Sequence, residues 1–150
     1  MQTTKALQDI MNSTFKAIKW TGSTLELLDQ RCLPHTETYL EFSDAPAVAT
    51  AISDMVVRGA PAIGITAAYA VVLSAQQHHA VAGGNWRELL QQDIELLAAA
   101  RPTAVNLVWA LRRMQRCLAA ADDNPVSMLL DEAKRIHQAD IDANVCMGGY

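Results

Sequence analysis

Cysteine is scarce in this chain. Only three occur in 150 residues, Cys32, Cys117 and Cys146, widely spaced and outside any C-x-x-C or Cys/His grouping. That excludes a disulfide framework and a zinc site. Clustered basic charge is missing too: 12 Lys+Arg stand against 16 Asp+Glu for a net charge of −4, and no run of five cations occurs. A broad nucleic-acid footprint is therefore excluded. The first twenty residues, MQTTKALQDIMNSTFKAIKW, lack a basic start, an apolar run and a small-residue cleavage site, so the expected compartment is the cytoplasm. The longest uncharged stretch is densest from Ala60 to Ala75 and carries Thr66, Tyr69 and Ser74. It is short for a bilayer span and reads as a helix buried on nearly all sides, so no membrane partner is expected. Charged residues make up 19% against 51% hydrophobic, which rules out disorder and supplies enough apolar surface for one core.

What is present divides at residue 43. Phe15–Trp20, Thr24–Asp29 and Thr38–Phe42 are short β-type segments, and Thr21-Gly22-Ser23 supplies a tight turn between the first two. They predict a small antiparallel sheet within residues 1–42. From Ser43 the period is helical. Ser43 or Asp44 caps, Pro46 fits the first turn, and Val48, Ile52, Met55 and Val56 form one face up to Gly59. Pro61 starts a second helix to about Gln77, with His78 and His79 expected to serve its negative C-terminal end. Asn85 and Glu88 resemble a capping box ahead of Leu89, Leu90, Ile94 and Leu97. After Arg101-Pro102, the residues Val105, Val108, Leu111, Met114 and Leu118 form another face. A last helix from Val126 to Val145 turns Leu129, Ala133, Ile136 and Ile141 inward and pairs Asp131 with Arg135. Trp86 and Trp109 are expected to fill core, and Asp131, Glu132 and Asp140 to form a solvated face. The predicted class is α+β, a small sheet followed by a helical bundle over residues 43–150.

Two places share one grammar of arginine, proline and new helix. In Val57-Arg58-Gly59-Ala60-Pro61-Ala62-Ile63-Gly64, the unpaired N–H groups of the helix start attract an anion. Arg58 adds a forked donor there, and Gly59 lets backbone approach a phosphate closely. Gly64 lies inside the helix at a cost of about 1 kcal/mol relative to Ala, which makes sense if another backbone or a ligand packs against it. Arg101-Pro102-Thr103-Ala104-Val105-Asn106-Leu107 repeats the pattern. Brought together, the two would clamp a phosphorylated small molecule. The same letters also suit ordinary helix junctions, because Arg and Gly favour helix C-termini and Pro the next N-terminus. No carboxylate pair shows a case for acid–base work, and Cys146 has no nearby base or positive field to activate it.

These two motifs, with Ile18-Lys19-Trp20, Leu27-Leu28-Asp29-Gln30, Leu33-Pro34, Tyr39 and Trp109-Ala110-Leu111 in the same order, resemble the methylthioribose-1-phosphate isomerase family of methionine salvage. The resemblance implies a homodimeric enzyme that converts 5-methylthioribose 1-phosphate to 5-methylthioribulose 1-phosphate without a metal or organic cofactor. The residues it carries over as substrate-binding are Arg58, Gly59, Ala60 and Arg101. It also implies that the catalytic Cys and Asp belong to a Rossmann-like domain following this one. Cys146 lacks the Thr-His-Cys-Asn-like surroundings of that cysteine, so no catalytic residue is assigned here. Together with the helical stretch running up to Tyr150, the resemblance makes residues 1–150 the expected N-terminal domain of a two-domain isomerase, inactive alone. Alternatives are a regulatory subunit related to the guanine-nucleotide exchange factor of translation initiation, an isomerase of ribose 1,5-bisphosphate, and a helical interaction domain.

Overall fold

A computed structural model describes residues 17–32, 35–36, 38–57, 59–81, 85–120 and 125–148. Three strands, β1 (Ile18–Trp20), β2 (Leu25–Leu28) and β3 (Tyr39–Phe42), form one antiparallel sheet in chain order. Lys19 faces Glu26 across the first pair, and Leu25 faces Phe42 across the second. The turn between β1 and β2 is set by Gly22 at φ 104° and closed by Thr21 and Thr24, whose backbone and hydroxyl groups bond to one another. Leu25, Leu27 and Leu28 of β2 are buried. Asp29 closes that strand. Its buried carboxylate accepts from the Nε and a terminal nitrogen of Arg31, each at 2.9 Å, which holds it below the usual carboxylate range.

Five helices follow: α1 (Ala45–Ser53), α2 (Ala60–Val81), α3 (Trp86–Ala100), α4 (Val105–Ala120) and α5 (Pro125–Gly148). The α+β class and the order of its parts agree with the sequence reading. Asp44 caps α1 by accepting from the Ala47 N–H at 2.8 Å, with Pro46 in the first turn. The expected extension of α1 through Val56 is not observed. Met55 adopts φ 65°, the chain turns, and Met55 is left exposed. Val56 and Val57 then drop into the core, and the Val56 carbonyl accepts from the Gln30 N–H, just past β2, at 3.0 Å.

Helix α2 is the central element, buried from Ile63 through Ala75 and packed against α1, α3, α4 and α5. No helix among the described residues is long and apolar enough to cross a membrane. Two buried hydroxyls lie on α2. Ser74 donates to Asp93 of α3 at 2.6 Å, and Thr66 has no hydrogen-bond partner among the described residues. The two histidines do more than meet the helix end. His78 bonds the same Asp93 oxygen at 2.9 Å, and His79 packs edge-on against buried Trp86. Asn85 makes no side-chain cap, because its backbone is not extended as a capping residue requires.

Helix α4 differs in phase from the expected face. Leu107, Ala110, Leu111, Met114 and Leu118 point inward, so Val105 is 78% exposed and Trp109 is 49% exposed rather than core. On α5, Leu129, Ala133 and Ile136 are buried and Ile141 is half-buried. Arg135 bonds Glu132 at 3.0 Å instead of Asp131, and Glu132 also takes the Nε of Arg113 from α4. Glu132 is therefore an interhelical bridge and not part of a solvated face. The Cys146 side chain lies outside the described residues.

Candidate functional site

The start of α2 is shaped by Gly59. Its φ of 91° is one an L side chain resists, and its carbonyl accepts from the Ile63 N–H at 3.1 Å, closing the first turn of the helix. Pro61 occupies that turn, where a missing N–H costs nothing. The N–H groups of such a first turn have no acceptor within the helix and point backwards out of it. At the second motif, Arg101 leaves α3 in an extended conformation, φ −146° and ψ 83°. The Ala104 N–H then bonds the Arg101 carbonyl at 3.0 Å, and the Ala104 carbonyl accepts from Val108 at 3.3 Å as α4 begins.

Gly64 brings these two helix starts together. A β-carbon at this position would lie 3.0 Å from the Asn106 carbonyl oxygen and 3.5 Å from the Ala110 β-carbon. Only a residue without a side chain lets α2 and the first turn of α4 come this close. The sequence reading of Gly64 as a point of close backbone approach holds, and the partner is α4.

The approach leaves a cleft of about 500 Å³ lined by Gly59, Ile63, Arg101, Thr103, Asn106 and Met55, among others. It joins the two motifs that sequence reasoning singled out. Arg101 is half-buried there and pairs with no carboxylate among the described residues. Arg58 lies outside the described residues, as does the side chain of Ala60. A second lobe of about 390 Å³ shares Val105 and Asn106 with the first. It adds Pro61, Gly64, Ile65, Trp109, Ile136 and Asp140.

Behind that lobe is a cluster the sequence did not expose. His137 is half-buried and its Nδ1 lies 2.9 Å from the Tyr69 hydroxyl. The Tyr69 ring stacks on Trp20 at 5.4 Å. Burial pushes the Tyr69 hydroxyl up to about 12. Burial also lowers His137, opposed by the charge of Asp140, and raises Asp140, opposed by His137. Asp140 is half-buried, so it too departs from the expected solvated face. The spacing of His137 and Asp140 is visible in sequence, but Tyr69 lies 68 residues away and carries no local signal. The Cys117 thiol donates to the Met128 carbonyl at 3.5 Å and is pushed up by burial. Among the described residues no three His, Cys, Asp or Glu are grouped to hold a metal.

Two helix starts and an arginine facing one groove define an α+β domain whose cleft favours an anion. Residues 56–149 match the Initiation factor 2 subunit family, and the chain belongs to that family. It is 51% identical over 136 residues to a methylthioribose-1-phosphate isomerase of Methylococcus capsulatus, covering 91% of this chain and 39% of that protein. It is 54% identical over 134 residues to the protein of the same name in Pseudomonas aeruginosa UCBPP-PA14, covering 88% and 37%. Among solved structures, 5-methylthioribose 1-phosphate isomerase from Pyrococcus horikoshii OT3 superposes with a TM-score of 0.83 at 33% identity, covering 89% of this chain and 39% of that one. The translation initiation factor eIF-2B subunit delta from A. fulgidus gives 0.77 at 30% identity, covering 83% and 37%. The chain thus spans 37–39% of the length of these relatives. The resemblance read from the two motifs is borne out.

Proposed function

We propose that this chain is the phosphate-binding, N-terminal part of a cytoplasmic, homodimeric isomerase. The reaction converts 5-methylthioribose 1-phosphate to 5-methylthioribulose 1-phosphate in methionine salvage. The observation that carries this reading is the single cleft shared by Gly59 and Arg101, in a chain 51–54% identical to proteins named for that activity. The substrate's C1 oxygen carries phosphate, so its ring does not open by simple hemiacetal chemistry. The enzyme must assist ring opening and then move hydrogen from C2 to C1. The part assigned to this chain is to fix the phosphate. Arg58 and Arg101 supply charge-assisted bonds, and Gly59 and Ala60 supply backbone N–H at the start of α2. The catalytic Cys and Asp are assigned to a following Rossmann-like domain.

Calorimetry with 5-methylthioribose 1-phosphate tests this directly. Arg58→Ala and Arg101→Ala should each weaken binding by about 1.5–3 kcal/mol, the usual worth of a bond to a charged group. Unchanged affinity in both variants would remove the assignment. The 150-residue chain alone should show no turnover in a coupled assay, and turnover would refute the division of labour. A second reading, a non-catalytic regulatory subunit, is favoured by the likeness to eIF-2B subunit delta. It expects no preference for the methylthio sugar over inorganic phosphate, so the same titration separates the two.

A further inference from the structure

His137 has two neighbours of opposite preference. Its Nδ1 is 2.9 Å from the hydroxyl of Tyr69 on α2, and the two rings meet edge-on at 5.6 Å. Asp140, one turn further along α5, acts on the same ring through its charge. Tyr69 is buried, and among the described residues His137 is the hydrogen-bond partner of its hydroxyl. A neutral imidazole suits this pair: the Tyr69 O–H donates to Nδ1 while the ring proton sits on Nε2. A second ring proton has to go to Nδ1. That nitrogen then donates instead of accepting, and the buried Tyr69 O–H loses its acceptor. Asp140 has the converse preference, since a carboxylate attracts the imidazolium and holds the neutral ring only weakly.

The other charged groups around this joint are engaged elsewhere or exposed. On α5, Asp142 accepts from Gln138 at 2.9 Å, Arg135 bonds Glu132, and Lys134 is exposed. From α4, Arg113 also goes to Glu132, five residues before His137. The remaining titratable side chains of α2, His78 and His79, meet Asp93 and Trp86 toward the end of that helix. From β1, Lys19 lies over the Tyr39 ring, and the uncharged Trp20 stacks on Tyr69. The joint also stands beside the wall of a cavity, because Ile136, Ala139 and Asp140 of α5 face Pro61, Gly64 and Ile65 of α2 across the second lobe.

We propose that His137 is a proton-operated latch: neutral, it is held by Tyr69 and keeps α5 seated on α2; protonated, it turns to Asp140, and the α5 wall of the second lobe loosens. The latch does not depend on which ligand the cleft takes. Burial holds His137 below the ordinary histidine value, so the unfolded chain takes up the proton before the folded one. Seating of α5 is therefore complete above that ordinary value and weakens as pH falls through the folded one.

Nuclear magnetic resonance of the 150-residue chain tests this through the ring nitrogens of His137, identified by their loss in His137→Gln, and through amide exchange along α5. In mildly alkaline buffer the ring should be the Nε2–H tautomer. Tyr69→Phe removes the partner of the neutral ring and should raise the titration midpoint, whereas Asp140→Asn removes the partner of the charged ring and should lower it. In the unaltered chain, α5 amides corrected for intrinsic rate should exchange about tenfold faster on the acid side of the midpoint, the scale of one buried bond. Tyr69→Phe should abolish that step. Midpoints that stay put or move in the same direction in the two variants overturn the latch, as does α5 exchange that is unchanged across the midpoint. If Tyr69→Phe does not fold, the midpoint of Asp140→Asn and the exchange step of the unaltered chain decide the matter by the same criteria.

Discussion

Replacing Gly64 by alanine sets two opposed effects against each other, and the structure decides between them. In a helix interior the change gains about 1 kcal/mol of propensity, because glycine loses more freedom on folding. Against this, the new β-carbon would sit 3.0 Å from the Asn106 carbonyl oxygen and 3.5 Å from the Ala110 β-carbon. Neither neighbour is the loose end of a flexible side chain. One is backbone of α4 and the other a β-carbon fixed directly to it, so the helix must move as a body by a few tenths of an ångström. Overpacking of this kind costs about 1–3 kcal/mol. The net expectation is a loss of about 1 kcal/mol, or about 2–4 °C in Tm for a chain of this size. Urea denaturation at unchanged slope, together with a thermal scan, measures it. The displacement should also weaken phosphate binding, since Asn106, Thr103 and Arg101 move relative to Gly59. Gly64→Ala with raised stability and unchanged phosphate affinity would refute the argument that this contact sets the spacing of the two helix starts.

Two other expectations follow from the placement of single side chains. Trp109→Ala should cost less than about 1.5 kcal/mol because the indole is half-exposed, whereas Leu107→Ala, fully buried two residues earlier, should cost about 2–5 kcal/mol; equal losses in chemical denaturation would contradict the phase assigned to α4. Asp29 is held below its ordinary value of 3.8, first by the Arg31 hydrogen bond, so its contribution is present above the unfolded-state value and lost as pH falls through the folded one. Arg31→Ala should then lose stability near neutral pH and converge on the unaltered chain in acid, and two parallel stability profiles would sink this reading.

The fold was legible where its determinants are local. Gly22 with its flanking threonines marks the hairpin, Asp44 and Pro46 mark the start of α1, and Pro61 that of α2. The misread features depend on partners distant in sequence. The apolar period of α4 is satisfied from Leu111 onward by either of two phases, since Leu111, Met114 and Leu118 belong to both. The first turn differs, and only the position of α2 puts Leu107 inside and Val105 and Trp109 outside. Met55 satisfied the helical pattern of α1, yet the helix ends a turn earlier than the pattern implies, with Val56 and Val57 buried and the Val56 carbonyl taken by the Gln30 N–H. Glu132 looked solvated because Arg113, its partner, comes from another helix.

The site divides along the same line. Gly59 and Arg101 could be singled out from sequence because a helix start attracts anions through groups within a few residues of it, and the structure puts both on one cleft. Asp140, His137 and Tyr69 could not, because their relation exists only once α5 has docked on α2. Gly64 belongs to both halves. Its sequence signal was a defect, a poor helix former in mid-helix, and its structural consequence is the contact with Asn106 that unites two separate anion-attracting ends in one cleft. The same contact places Asn106 on the border of the second lobe, so the spacing of the two helix starts also sets how the two lobes adjoin. A side chain at position 64 would therefore disturb both lobes together, because the Asn106 it would push against borders each of them.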